Sequence, residues 1–532
     1  MNGFVKSCLS GAAIVGASVG VLVLPVRADP PMHNVKVHLS GDGPAAARIH
    51  ILAADGQEYV PDGAAMRKTK TGEAYFYADG SFVVSLPRGN ARVRVSGGLE
   101  YIPRTIQLDV AADAELTVQQ QQWVDMTSRG WYSGDSHVHL HTGGKIGVTI
   151  DDALVAARAE GVNYVNLCVS NNIGDDIRDA DLITGKPHPS STDRHLLVFG
   201  EEMRSSIYGH MQFFGIRKLV EPQYTGFDNT PHFHDFPANF VMAEQAIQQG
   251  GVVTYAHPMF KGQPWPFTGE LTTGNGAARE LPIDAILNLT HAVDVMSYNS
   301  DEEQSAELWY RLLNCGLKLS ACAGTDALLD QSTEPLGGSR VYVRTDGPLT
   351  MNSWLDGLIA GRTFVTNGPM LQLEVEGAQP GATVSADGGK VHVAAGVESH
   401  VPFDHVEVIV NGKAVVTKSM PENSEAALVH RHRFEIDIPL EQSSWVALRV
   451  RGPNHPHVFD GPVWAHTSPV NVLLHKQPIR SADDASFFVE WIDQLLRVVA
   501  ARNRFATKVD RQQVETRFLK AQQAFRLRAQ PQ

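Results

Sequence analysis

The sequence predicts a multidomain protein in which a central β/α domain is flanked by two β-sandwiches and followed by a helical C-terminal tail. Three observations predict this. The chain has 532 residues, and a single hydrophobic core rarely grows past ~250–300 residues. Its hydrophobic periodicity changes near Gly130 and again near Leu371, from short alternating strands to strand–helix alternation and back. Its composition, 43% hydrophobic and 19% charged, is that of a folded globular protein.

The first segment, residues 1–28, reads as a signal peptide. Lys6 precedes an apolar stretch from Ala12 to Val26, and Val26-Arg27-Ala28 supplies a cleavage site before Asp29-Pro30. The stretch is short of the ~20 apolar residues a spanning helix needs. An exported, periplasm-like location is therefore expected, with no membrane span in the mature chain. Residues 30–128 read as the first sandwich, with alternating runs at Val35–Leu39, Phe82–Leu86 and Ala91–Val95 separated by Gly-rich turns.

Residues 129–369 form the central domain. Its predicted strands are Tyr164–Val169, Leu196–Phe199, Val252–Tyr255, Val293–Met296 and Leu317–Ser320; its predicted helices are Thr149–Glu160, Phe240–Gln249 and Glu302–Leu313. Repeated strand–helix alternation predicts a parallel architecture, open or barrel. Residues 370–476 return to short strands, with Asn411-Gly412 as a hairpin turn. The tail, 477–532, carries an apolar helical stripe that includes Phe487, Trp491, Leu495 and Val499, suited to packing on a domain.

A formal net charge of -13 repels polyanions, so a small-molecule substrate is expected and nucleic acid is not. After cleavage only Cys168, Cys315 and Cys322 remain, none in a CxxC pair, which predicts neither a disulfide framework nor a structural zinc site.

The chemistry-bearing residues lie in the central domain. In Gly134-Asp135-Ser136-His137-Val138-His139-Leu140-His141, strand alternation puts His137, His139 and His141 on one face. One HxH pair is a weak signal. The other candidates each sit beside a predicted strand: Glu202 in Gly200-Glu201-Glu202, His210 in Tyr208-Gly209-His210, His257 in Ala256-His257-Pro258, and Asp326 in Gly324-Thr325-Asp326. A barrel would bring strand ends to one mouth. Donors that are all nitrogen and oxygen suit Zn²⁺, Mn²⁺ or Fe²⁺. Further histidines at His188, His195, His232, His234 and His291 are read as non-ligands.

These segments, together with Gly361–Pro369, resemble the PHP (polymerase and histidinol phosphatase) superfamily, and within it the CehA/McbA metallohydrolases, over roughly Trp131–Pro369. The resemblance implies a distorted β/α barrel and two divalent metal ions. It implies that His137, His139 and Asp326 bind one ion, that His210 and His257 bind a second, and that Glu202 bridges them. Asp326 and Glu202 become the expected catalytic residues. The sequence departs from the three-metal members: Asn171-Asn172 and Leu328 stand where further ligands would lie.

The expected activity is hydrolysis of an ester, amide, carbamate or phosphoester by a metal-activated water, with His141, Asn172, Arg204 and Asn367 as candidate substrate contacts. Two other readings remain at this stage. One is an amidohydrolase-type barrel, which often bridges its metals with a carbamylated lysine; the strand before Gly200 offers none. The other is a non-catalytic periplasmic binding protein with a vestigial PHP domain. For export, N-terminal sequencing of the secreted protein is expected to begin just after Ala28; a mature chain that begins at Met1 would contradict the leader.

Overall fold

The computed structural model describes residues 31–41, 45–170, 177–263, 265–267, 276–420, 428–459 and 461–530. The leader segment and Asn172 lie outside the described residues. The described chain is multidomain and sheet-rich, with three separate apolar cores.

The N-terminal region builds two sheets around one core. In one, Met32–Gly41 pairs antiparallel with Ser81–Pro87 and parallel with Ala114–Gln122. In the other, Ala46–Leu52 lies between Ala74–Asp79 and Gly89–Ser96. Alternation turns Val35, Val37, Ile49, Ile51, Val84, Leu86, Val93 and Val95 inward, as a sandwich requires.

The central region contains β1 (Trp131–His139), β2 (Tyr164–Val169), β3 (Leu196–Ser205), β4 (Gly209–Phe214), β5 (Val252–Tyr255), β6 (Ala292–Met296), β7 (Ser320–Ala323), β8 (Arg340–Arg344) and β9 (Thr363–Thr366). Its helices are α1 (Ile150–Ala159), α2 (Asn239–Gln248), α3 (Leu281–Ile286), α4 (Glu302–Asn314) and α5 (Met351–Ile359). β1, β2 and β3 are parallel. β4 then runs antiparallel to both β3 and β5, and β5, β6 and β7 are parallel again. On its other edge β1 pairs with the short segment Ala327–Leu328 and with antiparallel β8.

The expected all-parallel strand direction is therefore corrected to a mixed sheet. The three-residue connection from β3 to β4 is too short for a crossover helix, so β4 must return antiparallel. The sheet also does not stop at residue 369: β9 pairs antiparallel with Pro462–Thr467, which joins it to the C-terminal strands. The last predicted parallel strand moves as well, from Leu317–Ser320 to Ser320–Ala323, because the Leu319 carbonyl accepts from Trp309 Nε1 at 3.0 Å instead of from a neighbouring strand.

Local signals explain the helices. Thr149 and Asp152 form a capping box on α1, Asp301 caps α4, and Thr350 with Ser353 caps α5. α2 has no such side chain of its own. Glu280, buried and forty residues downstream, accepts from the Asn239 and Phe240 amides at 3.0 and 2.9 Å instead.

In the C-terminal region, Met370–Val375, Lys390–Ser399 and His430–Pro439 make an antiparallel sheet facing the strands that continue from β9. Asn411 and Gly412 adopt φ of 48° and 84°, the turn that joins His405–Val410 to Lys413–Ser419. The helical tail is two helices, α6 (Ala482–Arg502) and α7 (Lys508–Ala529), separated after left-handed Asn503. Its apolar stripe packs on the central region, where Trp491 Nε1 donates to the Arg279 carbonyl at 2.7 Å. No described helix is long and apolar enough to cross a membrane.

Arg502 makes two 2.8 Å hydrogen bonds to Asp235, whose side chain is fully buried. Arg502→Ala leaves that charge unpaired and is expected to cost about 3–5 kcal/mol in urea denaturation. Arg511→Ala, which breaks a largely exposed pair to Glu515 on α7, is expected to cost under about 1 kcal/mol.

Candidate metal centre

β1 supplies the first two side chains, and a buried carboxylate sets their frame. Asp135 accepts hydrogen bonds from the His137 amide (3.1 Å), the Thr325 amide (2.8 Å), the Thr325 hydroxyl (2.6 Å) and the Gly337 amide (2.7 Å). It thereby ties β1 to the loop after β7. The Asp326 amide completes the tie by donating to the His137 carbonyl at 2.7 Å. Gly324 is needed for this approach, since a Cβ there would lie 2.3 Å from Ser136 Oγ and 2.5 Å from the His137 amide.

The β3–β4 hairpin supplies the next residues. Its register puts Arg204 opposite His210 and Glu202 opposite Gln212. Strand alternation sends Glu202 and Arg204 to one face and Glu201 to the other, where the Glu201 carboxylate accepts from the Val220 amide at 2.7 Å. His257 follows β5. His257 and Asp326 have φ of 26° and 58°, a region that non-glycine residues rarely occupy and that costs about 1–3 kcal/mol per residue.

Six side chains meet in one place. His137 Nε2 lies 3.0 Å from His139 Nε2, 3.6 Å from Glu202 Oε1 and 3.4 Å from Asp326 Oδ1. His139 Nε2 lies 3.5 Å from Glu202 Oε2 and 3.1 Å from Asp326 Oδ1. His210 Nδ1 and His257 Nε2 lie 3.0 and 3.5 Å from Glu202 Oε1, and His257 Nε2 lies 4.0 Å from Asp326 Oδ2. Donors about 2.0–2.2 Å from one tetrahedral ion are about 3.3 Å apart, so these spacings fit a shared cation. Three overlapping sets have their donor atoms within 4.8 Å of one another: His137, His139 and Glu202; His137, His257 and Asp326; and Glu202, His210 and His257.

The charges agree with the geometry. Burial opposes a charge on His137, but the Asp326 and Glu202 carboxylates outweigh it and hold the ring's pKa up at about 9. Burial alone would raise Glu202, yet His137 and Arg204 keep it well below the usual carboxylate range. Asp326 is also held low against burial, chiefly by His137 and His139. Burial takes His210 down to about 4. Two ionised carboxylates among imidazole lone pairs attract a cation.

Of the expected ligands, all six are brought together. The expected substrate contacts divide. Arg204 lines the cleft, a space of about 320 Å³, with its guanidinium 3.5 Å from Glu202 and hydrogen-bonded to Ser170. His141 is turned away: its Nδ1 is 2.9 Å from both Asp179 oxygens and its Nε2 is 3.0 Å from the Val148 carbonyl. Asn367 is a structural clip, donating to the Pro462 carbonyl and accepting from the Trp464 amide. Asn172 lies outside the described residues.

Several cleft residues escaped the sequence reading, Asn299 and Phe260 among them. Asn299 Nδ2 donates to Asp326 Oδ2 at 2.7 Å. The Phe260 ring lies 4.6 Å from His257, and Leu328 joins the lining. Asn299 follows β6 as His257 follows β5 and Asp326 follows β7, and that position was the available signal. Among the histidines read as non-ligands, His188, His195 and His291 bond to backbone groups. The three described cysteines are free and buried.

No family model and no curated protein matches the chain. Solved structures that align include PsfC from Pseudomonas syringae, with TM-score 0.29 and 16% identity over 42% of this chain and 88% of that one. An Endonuclease Q bound to a 27-mer duplex with an abasic lesion aligns with TM-score 0.26 and 12% identity, covering 42% of this chain and 55% of that one. The lesion-specific endonuclease PfuEndoQ from Pyrococcus furiosus aligns with TM-score 0.26 and 11% identity, covering 44% and 56%. This chain thus spans about half the length of either endonuclease. At these TM-scores the alignments carry no argument about activity.

Metal uptake is expected to displace the proton that His137 holds up to about 9. Affinity for Mn²⁺ in chelator-buffered titrations should therefore rise by about tenfold per pH unit from neutral pH and level off near that value. The sign for folding is opposite. The His137 ion pair stabilises metal-stripped protein fully below the ring's unfolded value, and that contribution is lost as pH rises through about 9. A pH-independent Mn²⁺ affinity would contradict this assignment.

Proposed function

We propose that the chain is an exported, metal-dependent hydrolase of the PHP type, in the CehA/McbA-like branch. It acts through two divalent ions (Zn²⁺, Mn²⁺ or Fe²⁺) on an ester, amide, carbamate or phosphoester of a small molecule. The convergence of four imidazoles and two carboxylates at chelating distances, at the base of a cleft, carries this reading. His137, His139, Glu202 and Asp326 would hold one ion, and Glu202, His210 and His257 would hold the other. Such ions lower the pKa of a bound water toward neutrality and polarise a substrate oxygen.

The chain's own residues supply the rest. Asp326 is both ligand and proton acceptor, and Asn299 fixes its second oxygen. Arg204 keeps a positive charge at the cleft beside Glu202, suited to a substrate oxygen that gains negative charge. Phe260 and Leu328 give the cleft an apolar wall. Both nitrogens of His141 are engaged by Asp179 and Val148, which supports two ions rather than three.

Elemental analysis after dialysis against trace chelator is expected to find two ions at this centre. His137→Ala, Glu202→Gln and Asp326→Asn should each abolish hydrolysis in a panel of ester, amide, carbamate and phosphoester substrates, well beyond the ~10–100-fold typical of outer-shell changes. Glu201→Gln, on the opposite face of β3, should retain activity. Full turnover in Glu202→Gln, or an ion at His141, would overturn the assignment.

A further inference from the structure

A second group of histidines lies outside the cleft lining, where the C-terminal strands meet the N-terminal sandwich. His400 follows Lys390–Ser399, and His430 opens the neighbouring strand, opposite Ser399 in register. His455 and His457 flank Pro456 just beyond Ser444–Asn454. The His400 and His457 rings are 6.0 Å apart and those of His455 and His457 are 4.9 Å apart. In the central cluster the corresponding spacings are 4.9 Å for His137–His139, 5.0 Å for His210–His257 and 5.5 Å for His137–His257.

These rings have the properties of ligands rather than of ion-pair partners. Nδ1 of His400 and Nδ1 of His457 are buried with no hydrogen-bond partner among the described residues, which is costly for a ring nitrogen unless something else meets it. Burial, and then the neighbouring His457, His455 and His430, push His400 down to about 3; burial and His455 take His457 down to about 4. Burial also lowers His455 and His430. A neutral imidazole is the form that binds a metal.

We infer that His400, His430, His455 and His457 form a second, all-imidazole site for a divalent late transition ion such as Cu²⁺, Ni²⁺ or Zn²⁺. Imidazole donors without carboxylates favour these ions over Mg²⁺ or Ca²⁺. No three of the four nitrogens lie within 4.8 Å of one another. Closure therefore requires rotation of the half-buried His430 and His455 side chains, and His455 gives up the 3.2 Å contact its Nδ1 accepts from the His457 amide. The site would clip two regions together. The His400 ring lies 6.0 Å from Trp123, and Arg48 stacks on Phe459 at 4.5 Å, so an ion held here stiffens the seam between the sandwiches.

The test uses the full chain and Cu²⁺. Parent protein stripped with chelator and titrated with Cu²⁺ should bind, beyond the copper taken up by the central cluster, one ion whose electron paramagnetic resonance g and A values are those of an all-imidazole site. The double variant His430→Asn/His455→Asn, at half-buried positions, should lose that ion and the accompanying rise in Tm, while its far-ultraviolet circular dichroism is unchanged. His457→Gln is the independent second variant. Glu202→Gln, which disables the central cluster, should keep the imidazole-only ion, so failure of the hydrolase reading leaves this result readable. Equal copper counts and the same imidazole-only spectrum in parent and in both outer-site variants would overturn the inference, as would absence of that signal from the parent.

Discussion

The centre depends on one buried carboxylate. Asp135 sits inside the sheet and gathers four donors, three of them backbone amides, from three separate stretches of chain. It carries no ligand role, yet it fixes where His137 leaves β1 and where the loop after β7 delivers Asp326. Burial raises its pKa to about 6 against the pull of those hydrogen bonds. Desolvating such a group is worthwhile only if every oxygen lone pair is used, and here both oxygens are. Gly134 one residue earlier serves the same end: a Cβ there would lie 2.2 Å from the Trp354 ring, which stacks flat on Tyr164 at 4.1 Å and seals the sheet from α5.

From that frame the electrostatics follow. Glu202 is central because it alone lies within reach of all four imidazoles. Its neighbour Glu201 shows the contrast: one residue along the same strand, facing the other way, it is pushed well above the usual range by burial and has no cation beside it. The same residue type is a cation ligand on one face and a structural acceptor on the other, and the pleat of β3 decides which. Strain at His257 and Asp326 fits this picture, since left-handed backbone persists where surrounding structure holds it.

Much of this was legible in the residues. Strands such as Tyr164–Val169 and Val252–Tyr255 appear with the predicted ends, because short apolar runs bounded by glycine have few other uses. Helix α1 was readable from Asp151 and Asp152 in its first turn and Gly161 after its end. Of the six candidate ligands, His139 ends β1, His210 follows Gly209, His257 precedes Pro258 and Asp326 follows β7, whereas His137 and Glu202 lie within β1 and β3. Less legible were features that depend on distant partners: the cap that Glu280 provides for α2, the Trp309–Leu319 bond that displaces β7, and the second pairing of β9.

The sequence by itself determined the element types, the three-part organisation of the periodicity and the identity of the donors, because period, capping and donor chemistry are local properties of the chain. Tertiary structure alone decided direction and company. It made β4 antiparallel, turned His141 toward Asp179 instead of the cleft, committed Asn367 to the backbone of Trp464 and brought Asn299 to Asp326. These choices depend on which groups compete for the same hydrogen bond across as many as 97 residues, and no local pattern encodes that competition.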